Sequence, residues 1–309
     1  MNEIATTQIF HDSSTDVQYS SKILASRTAI YLALLVWAFI CLFPIYWTLT
    51  TSFKSAPDVM RGNLIPWLEY VPKWLGWRKL GLSPDTIFEY SSAREEFLHR
   101  FFNSIVISST SSLLAVVLGT MAAYGLSRFE YKFLTFKNAD ISFFFLSQLI
   151  MPPVVMALPF LALYKELDLL DTKVGLIAIY ALSVVPIVVW IMRDQFESIP
   201  TELEEAAMVD GQSLWGAFLT IVLPIALPGM VAAAILCLVL TWNEYFFATL
   251  LTSTAANTLP VMVASKTGSQ GIEWWTMASI SFASILPLLV IGIVFERFIV
   301  SGMTAGAIK

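Results

Sequence analysis

Long apolar windows alternate with short polar stretches along almost the whole chain. Windows without a charged residue cover 28–53, 101–127, 141–164, 174–192, 211–243 and 274–295. Crossing a bilayer takes about 20 apolar residues in a helix. In hydrocarbon a backbone must satisfy its own hydrogen bonds, so these windows predict helices. The fifth is too long for one crossing. Its first part reads as a helix in the wet loop that leads into a span near 228–250. The pattern therefore predicts an all-α membrane protein with six transmembrane helices, and an even number of spans puts both termini on one side.

Prolines fall inside several windows, at Pro44, Pro152, Pro153, Pro159, Pro186 and Pro287. Kinks of this kind are tolerated in membrane helices when neighbours re-satisfy the freed carbonyls. Small residues cluster at 108–112, 119–125 and 232–234, where they would let helices approach closely. The connections are unequal. Segment 54–100 is long and carries Trp67, Trp74 and Trp77, residues suited to a membrane–water interface. Segment 1–27 is polar, rich in Ser, Thr and Asp, and is expected to be a mobile arm. It has no apolar region close to the start of the kind a cleavable signal peptide needs.

Composition sharpens this picture. The chain of 309 residues is 57% hydrophobic and only 13% charged, where soluble domains average about 25% charged. No basic face for nucleic acid is visible. Cys41 and Cys237 both lie in apolar windows, and His11 and His99 are far apart, so neither a disulfide framework nor a metal or catalytic cluster is predicted. Counting Lys and Arg in the loops does not choose an orientation.

The polar loop between the fourth and fifth windows, 193–217, carries the most specific pattern. It reads Ile-Pro-Thr-Glu-Leu-Glu-Glu-Ala-Ala-Met-Val-Asp-Gly over 199–211, then Ile221, Leu223 and Pro224 follow. Pro200 suits a helix start, Thr201 with Glu204 would form a capping box, Gly211 suits a left-handed stop, and Ser213 can cap the next helix. Two alanines beside acidic side chains make a small, close-approach surface suited to docking against another protein.

This segment resembles the EAA loop of bacterial ABC importer permeases: Glu-Ala-Ala, three residues, Gly, nine residues, Ile, any residue, Leu-Pro. Glu205, Ala206, Ala207, Gly211, Ile221, Leu223 and Pro224 match at every position. The chain end, with Gly302, Thr304 and Gly306, is similar to the tail of maltose-type carbohydrate-importer permeases, with Met303 where Leu is usual. Further likeness runs through Asn103-Ser-Ile, 122–128 and Trp242-Asn-Glu, and covers most of the chain beyond residue 100. The resemblance implies a permease subunit of a binding-protein-dependent ABC importer in the bacterial inner membrane. Its coupling loop (Glu204, Glu205, Ala206, Ala207, Asp210, Gly211) would dock on an ATPase dimer, and the tail 301–309 would reach that dimer. The loop is then cytoplasmic, as are both termini. The implied partners are the ATPase subunits, which bind the ATP and Mg, a second permease expected to be a different chain, and an extracytoplasmic binding protein that delivers a sugar or polyol. No cofactor is expected on this chain.

Trp242, Asn243 and Glu244, near the far end of the fifth span, are the candidate substrate path. Polar groups at membrane depth usually face a bundle interior or a wet cavity, and an aromatic ring beside hydroxyl-binding groups suits a sugar. On one continuous helix Ala248 would share the Glu244 face. Segment 252–273 reads either as a plain outer connection or, as the resemblance implies, as a loop that projects into the binding protein. The chain has no GxxxxGK[ST] sequence, so ATP must be bound elsewhere. An intramembrane enzyme would need a catalytic pair, and neither HExxH nor paired intramembrane Asp residues occur. A secondary transporter would be expected to show an inverted repeat, and none is apparent. A phosphorylated polyol such as glycerol phosphate is the alternative cargo, and it would favour a basic residue near the path.

Overall fold

The structure, a computed structural model, describes residues 13–132, 137–268 and 271–296. Helices dominate: α1 (Ser13–Thr51), α2 (Ala56–Met60), α3 (Leu75–Lys79), α4 (Ser92–Arg128), α5 (Asn138–Ile150), α6 (Pro153–Glu166), α7 (Lys173–Glu197), α8 (Glu202–Val209), α9 (Leu214–Ala217), α10 (Leu223–Trp242), α11 (Phe246–Leu251), α12 (Leu259–Ala264) and α13 (Trp274–Val294). A π-helical segment, Phe218–Val222, joins α9 to α10, and a hairpin pairs β1 (Thr267–Gly268) with β2 (Gly271–Ile272). Five helical stretches are long and apolar enough to cross a membrane, and the pair α5–α6 makes a sixth if it is one broken span. The spans of the sequence reading are thus present. Several limits differ. Helix α1 already begins at Ser13, inside the expected mobile arm, and α4 begins at Ser92, well before its window.

Three breaks shape the spans. Between α5 and α6 the axis turns by 95° rather than kinking mildly. Pro153 has no N–H to donate, and a residue before proline is pushed out of the helical region. Met151 and Pro152 are accordingly extended, at ψ 124° and 130°. The second break is the π segment, where the Leu223 N–H reaches back to the Phe218 carbonyl. It lies immediately before Pro224, whose ring would clash with the carbonyl one α-turn back, and the wider turn relieves that clash. The third ends α10 at Trp242, short of the span expected near 228–250, because Asn243–Tyr245 leave the helix and α11 starts afresh.

The core is the packing of α4 against α7, closed on one side by α10. Gly119 sets the approach: a Cβ there would sit 2.6 Å from the Val188 Cβ on α7. Ala115, Ala123, Val184, Val188, Ala226, Ala233 and Cys237 fill the contact. The small-residue patches therefore act as packing surfaces, as the sequence predicted. The serine run of α4 is buried at Ser108, Ser111 and Ser112, and the Ser112 hydroxyl lies 3.0 Å from the Thr241 hydroxyl of α10. Helix α1 stands apart. It packs chiefly on α13, and its apolar side chains from Ile30 to Leu42 are exposed.

The connection between α1 and α4 is folded. Lys54 is fully buried beneath it, with its Nζ 4.3 Å from the centre of the Trp47 ring and 5.4 Å from that of Tyr70. Trp67 and Trp74 remain exposed, as interface residues would be, while the Trp77 indole N–H donates to the Ser52 hydroxyl at 3.3 Å. Segment 252–273 is likewise more than a plain connection, since it contains α12 and the hairpin. Its first turn wraps around Asp171, a residue between α6 and α7 at φ 53°. The Asp171 carboxylate accepts from the backbone N–H groups of Ser253, Thr254, Ala255 and Ala256, and from the Ser253 and Thr254 hydroxyls. Burial alone would raise this carboxyl. The donors from Ala255, Ser253 and Ala256 overcome it and hold the group well below the usual carboxylate range.

Asp171→Asn keeps an acceptor and tolerates the left-handed backbone while removing the charge. It is expected to destabilise the detergent-solubilised protein by about 1–3 kcal/mol at pH 7, the difference between charged and neutral acceptors. A depressed carboxyl stabilises the fold above its unfolded value of about 3.9 and ceases to do so as pH falls towards the folded value. The melting temperatures of wild type and variant should therefore converge below about pH 4.

Candidate functional site

The motif loop sits where α4 and α7 end and the segment leading into α10 begins. Pro200 and Thr201 open α8, but the predicted capping box does not form. Thr201 is itself helical (φ −67°, ψ −24°), and its side chain makes no capping hydrogen bond. The Glu204 carboxylate goes elsewhere. One oxygen receives the Arg128 Nε–H at 2.6 Å and the other the Tyr124 hydroxyl at 2.6 Å. The Arg128 guanidinium also donates to the Ile199 carbonyl at 3.0 Å. The two charged side chains are only 9% and 5% exposed. A charge-assisted pair in so dry a place outweighs a solvent-facing cap. Glu204 is thus an internal tether from α8 to the end of α4, which corrects its assignment to the docking surface.

The other motif residues divide by face. Glu205, Ala206 and Asp210 are exposed, and Ala207 is buried against the bundle. Gly211 adopts φ +87°, the left-handed stop that only glycine takes without strain. Ser213 then caps α9, its hydroxyl accepting the Gly216 N–H at 3.1 Å. Around the acidic positions α8 leaves large apolar side chains in the open: Leu203, Met208 and Val209, the last at 87% exposure. The sequence pattern had not marked these.

At the opposite end, Trp242 is buried, with its ring edge-on to Phe101 and its indole N–H donating to the Ser284 carbonyl at 3.2 Å. Asn243 is exposed and donates to the Val239 carbonyl at 2.8 Å. Glu244 caps α11, accepting the N–H groups of Phe247 at 3.0 Å and Ala248 at 3.3 Å. The continuous stripe expected through Glu244 and Ala248 is therefore replaced by a helix break that the acid itself stabilises. A cleft of about 350 Å³ opens beside the break. Its wall is mostly apolar, built from Trp242 and Tyr245, from Pro260, Val263 and Ala264 of α12, and from Ile285 and Leu288 of α13, with Asn243, Ser281 and Ser284 as its polar residues. The tail residues Gly302, Thr304 and Gly306 lie outside the described residues.

The family model described as "Binding-protein-dependent transport system inner membrane component" matches residues 115–301. The chain is 32% identical over 287 residues to the inner membrane ABC transporter permease protein YcjP of Escherichia coli, covering 92% of this chain and 97% of that protein. It is 31% identical to the trehalose/maltose transport system permease protein MalG of Thermococcus litoralis, with 92% and 97% covered. To the trehalose transport system permease protein SugB of Mycobacterium tuberculosis it is 34% identical, with 87% and 92% covered. Among solved structures, a chain of a bacterial ABC transporter involved in import of the acidic polysaccharide alginate has the same fold. That match has a TM-score of 0.66 at 19% identity and covers 94% of this chain and 99% of that one.

Removing one partner of a buried ion pair typically costs about 3–5 kcal/mol. Glu204→Ala should therefore release α8 from α4 and open the segment 198–211 to limited proteolysis. Glu205→Ala, at an exposed position, should leave the proteolytic pattern of wild type. Equal cleavage of the two variants would show that the tether does not hold the loop.

Proposed function

Because this chain belongs to the family of binding-protein-dependent transport system inner membrane components, we propose that it is one permease subunit of an ABC importer, moving a sugar or polyol with ATP hydrolysed on other chains. The observation that carries this reading is the motif loop. A short helix is fixed to the bundle by a buried ion pair, yet it presents exposed acidic residues and a rim of exposed apolar ones. Apolar side chains outside the spans call for a protein partner, and Glu205, Ala206, Asp210 and Gly211 then form the docking face for an ATPase dimer that binds ATP and Mg. In this reading the loop and both termini are cytoplasmic, and the tail Gly302, Thr304 and Gly306 is assigned to the same dimer.

The neutral cargo is supported by the names of the trehalose and maltose relatives and by the cleft. Among the described residues its lining has an aromatic ring, an amide and hydroxyls but no Lys or Arg, which fits a hydroxylated neutral ligand better than a phosphorylated polyol. Asn243 and Tyr245 offer the polar and aromatic contacts. Trp242 acts from behind, as the buried support of that wall, and Glu244 holds the break that lets the chain turn there. The remaining walls are assigned to a second permease, expected to be a different chain, and delivery to an extracytoplasmic binding protein.

Two experiments test this reading. Glu205→Ala and Gly211→Asp, the latter placing a side chain at a left-handed position, should each reduce recovery of the ATPase subunit in a pull-down and lower transport. Unchanged recovery with unchanged transport overturns the docking role. For the path, single Cys replacements at 239–247 in a Cys41→Ser, Cys237→Ser background are exposed to a water-soluble thiol reagent. Labelling at 243 should exceed that at 241 and 242 and should change during turnover. Uniform or turnover-insensitive labelling removes the path assignment.

A further inference from the structure

Helix α4 differs from the other described spans. Prolines interrupt α1 at Pro44, the α5–α6 pair at Pro153 and Pro159, α7 at Pro186, α10 at Pro228 and α13 at Pro287, whereas α4 has none. Its 37 residues make a rod of roughly 55 Å at about 1.5 Å per residue. Without a proline its hydrogen-bond ladder has no gap of the kind that proline makes, and it runs as one continuous α-helix from Ser92 to Arg128. Packing against α7 across Gly119 guides it along its middle.

Two stretches of this rod hold something. At the motif end Arg128 and Tyr124 hold α8 through Glu204. About three turns in from the other end, Asn103 and Ser104, both buried, hold the segment that follows α11. The Asn103 amide donates to the carbonyls of Ala255 and Asn257, each at 2.9 Å, and the Ser104 hydroxyl accepts the Leu259 N–H at 2.9 Å. The two grips lie about 30 Å apart along the helix. The held segment is also tied to Asp171, just before α7, through the N–H groups of 253–256. It therefore bridges α4 and the start of α7, and it runs directly into Pro260, which lines the cleft. Any shift of α4 along α7 is felt in this segment first.

We propose that α4 is the transmission rod of this permease, carrying displacement of α8 to the rim of the cleft through the Arg128–Glu204–Tyr124 grip at one end and the Asn103–Ser104 grip towards the other. The proposal rests on the docking role of α8 given above. Arg128, Glu204 and Asn103 are positioning residues in this scheme.

The test uses the complete transporter in lipid nanodiscs, with Ala255→Cys in a Cys41→Ser, Cys237→Ser background. The rate of labelling of that cysteine by a water-soluble thiol reagent is measured without nucleotide and after trapping with MgATP and orthovanadate. Trapping should change the rate at least about fivefold, the lower end of typical coupling between sites. Asn103→Ala should abolish the change while the amounts of ATPase recovered and of nucleotide trapped stay at the parent level. Arg128→Gln should abolish it too, with some loss of ATPase recovery because the same pair fixes α8. The double variant Arg128→Glu, Glu204→Arg should restore at least half of it. Ser104→Ala, which removes a single hydrogen bond, should weaken the change without abolishing it. A rate change that persists in either Arg128→Gln or Asn103→Ala overturns the proposal, as does a parent protein in which trapping leaves the cysteine unaffected. Loss of ATPase recovery in Gly211→Asp is read separately, so failure of the docking role is distinguishable from failure of the rod.

Discussion

Nothing in the hydrocarbon layer can take up a backbone hydrogen bond that the chain leaves unmade, and each break in this fold is arranged around that shortage. At the end of α10 the Asn243 N–H still reaches the Val239 carbonyl, Glu244 receives the first N–H groups of α11, and the Tyr180 hydroxyl donates to the Glu244 carbonyl at 3.3 Å. In the π segment the ladder continues one residue out of step instead of stopping. Only at Met151–Pro152 does the chain turn sharply, where the second proline has no N–H to satisfy. The irregular backbone on either side of α10 supplies its own partners, and the cleft opens beside one of these places.

Carboxylates do much of the remaining positioning. Glu204 joins α8 to α4, Asp171 gathers the turn after α11, and Glu244 starts α11. In each case the acid accepts from two or more donors, so its charge is spread over N–H and O–H groups and its desolvation is offset. Acids in a protein with so few charges read easily as ligands for cargo or partner. Here the chain itself uses several of them, whereas Glu205 and Asp210 of the motif loop stay exposed.

The spans were legible because an apolar window of sufficient length has one solution in a bilayer. Gly211 and Ser213 were legible because a left-handed stop and a helix cap are local matters of backbone geometry. Glu204 was not: its capping-box spacing to Thr201 is a local signal, and it was overridden by Arg128 and Tyr124, which lie far off in sequence and close in space. The same holds for Glu244, where a polar residue in an apolar run signalled a cavity while its side chain served the next helix. The 95° turn at Pro152–Pro153 was underestimated because one proline kinks a helix, whereas two in succession also force the residue before them to be extended. Asp171 carried no recognisable spacing, since all its donors come from a segment beyond α7.

The pairing of α1 with α13 joins spans far apart in the sequence. A chain synthesised from its amino terminus inserts α1 long before α13 exists, so α1 must wait in lipid while the spans between them are made. Its apolar surface tolerates that wait, because lipid is as good a solvent for Leu34, Trp37 and Phe39 as another helix would be. What completes its placement is the arrival of α13, and until then the α4–α7–α10 core can assemble without it. Biogenesis of this permease thus divides into an early inner bundle and a late closure, and a chain released before α13 would keep its core yet leave its first helix unmoored.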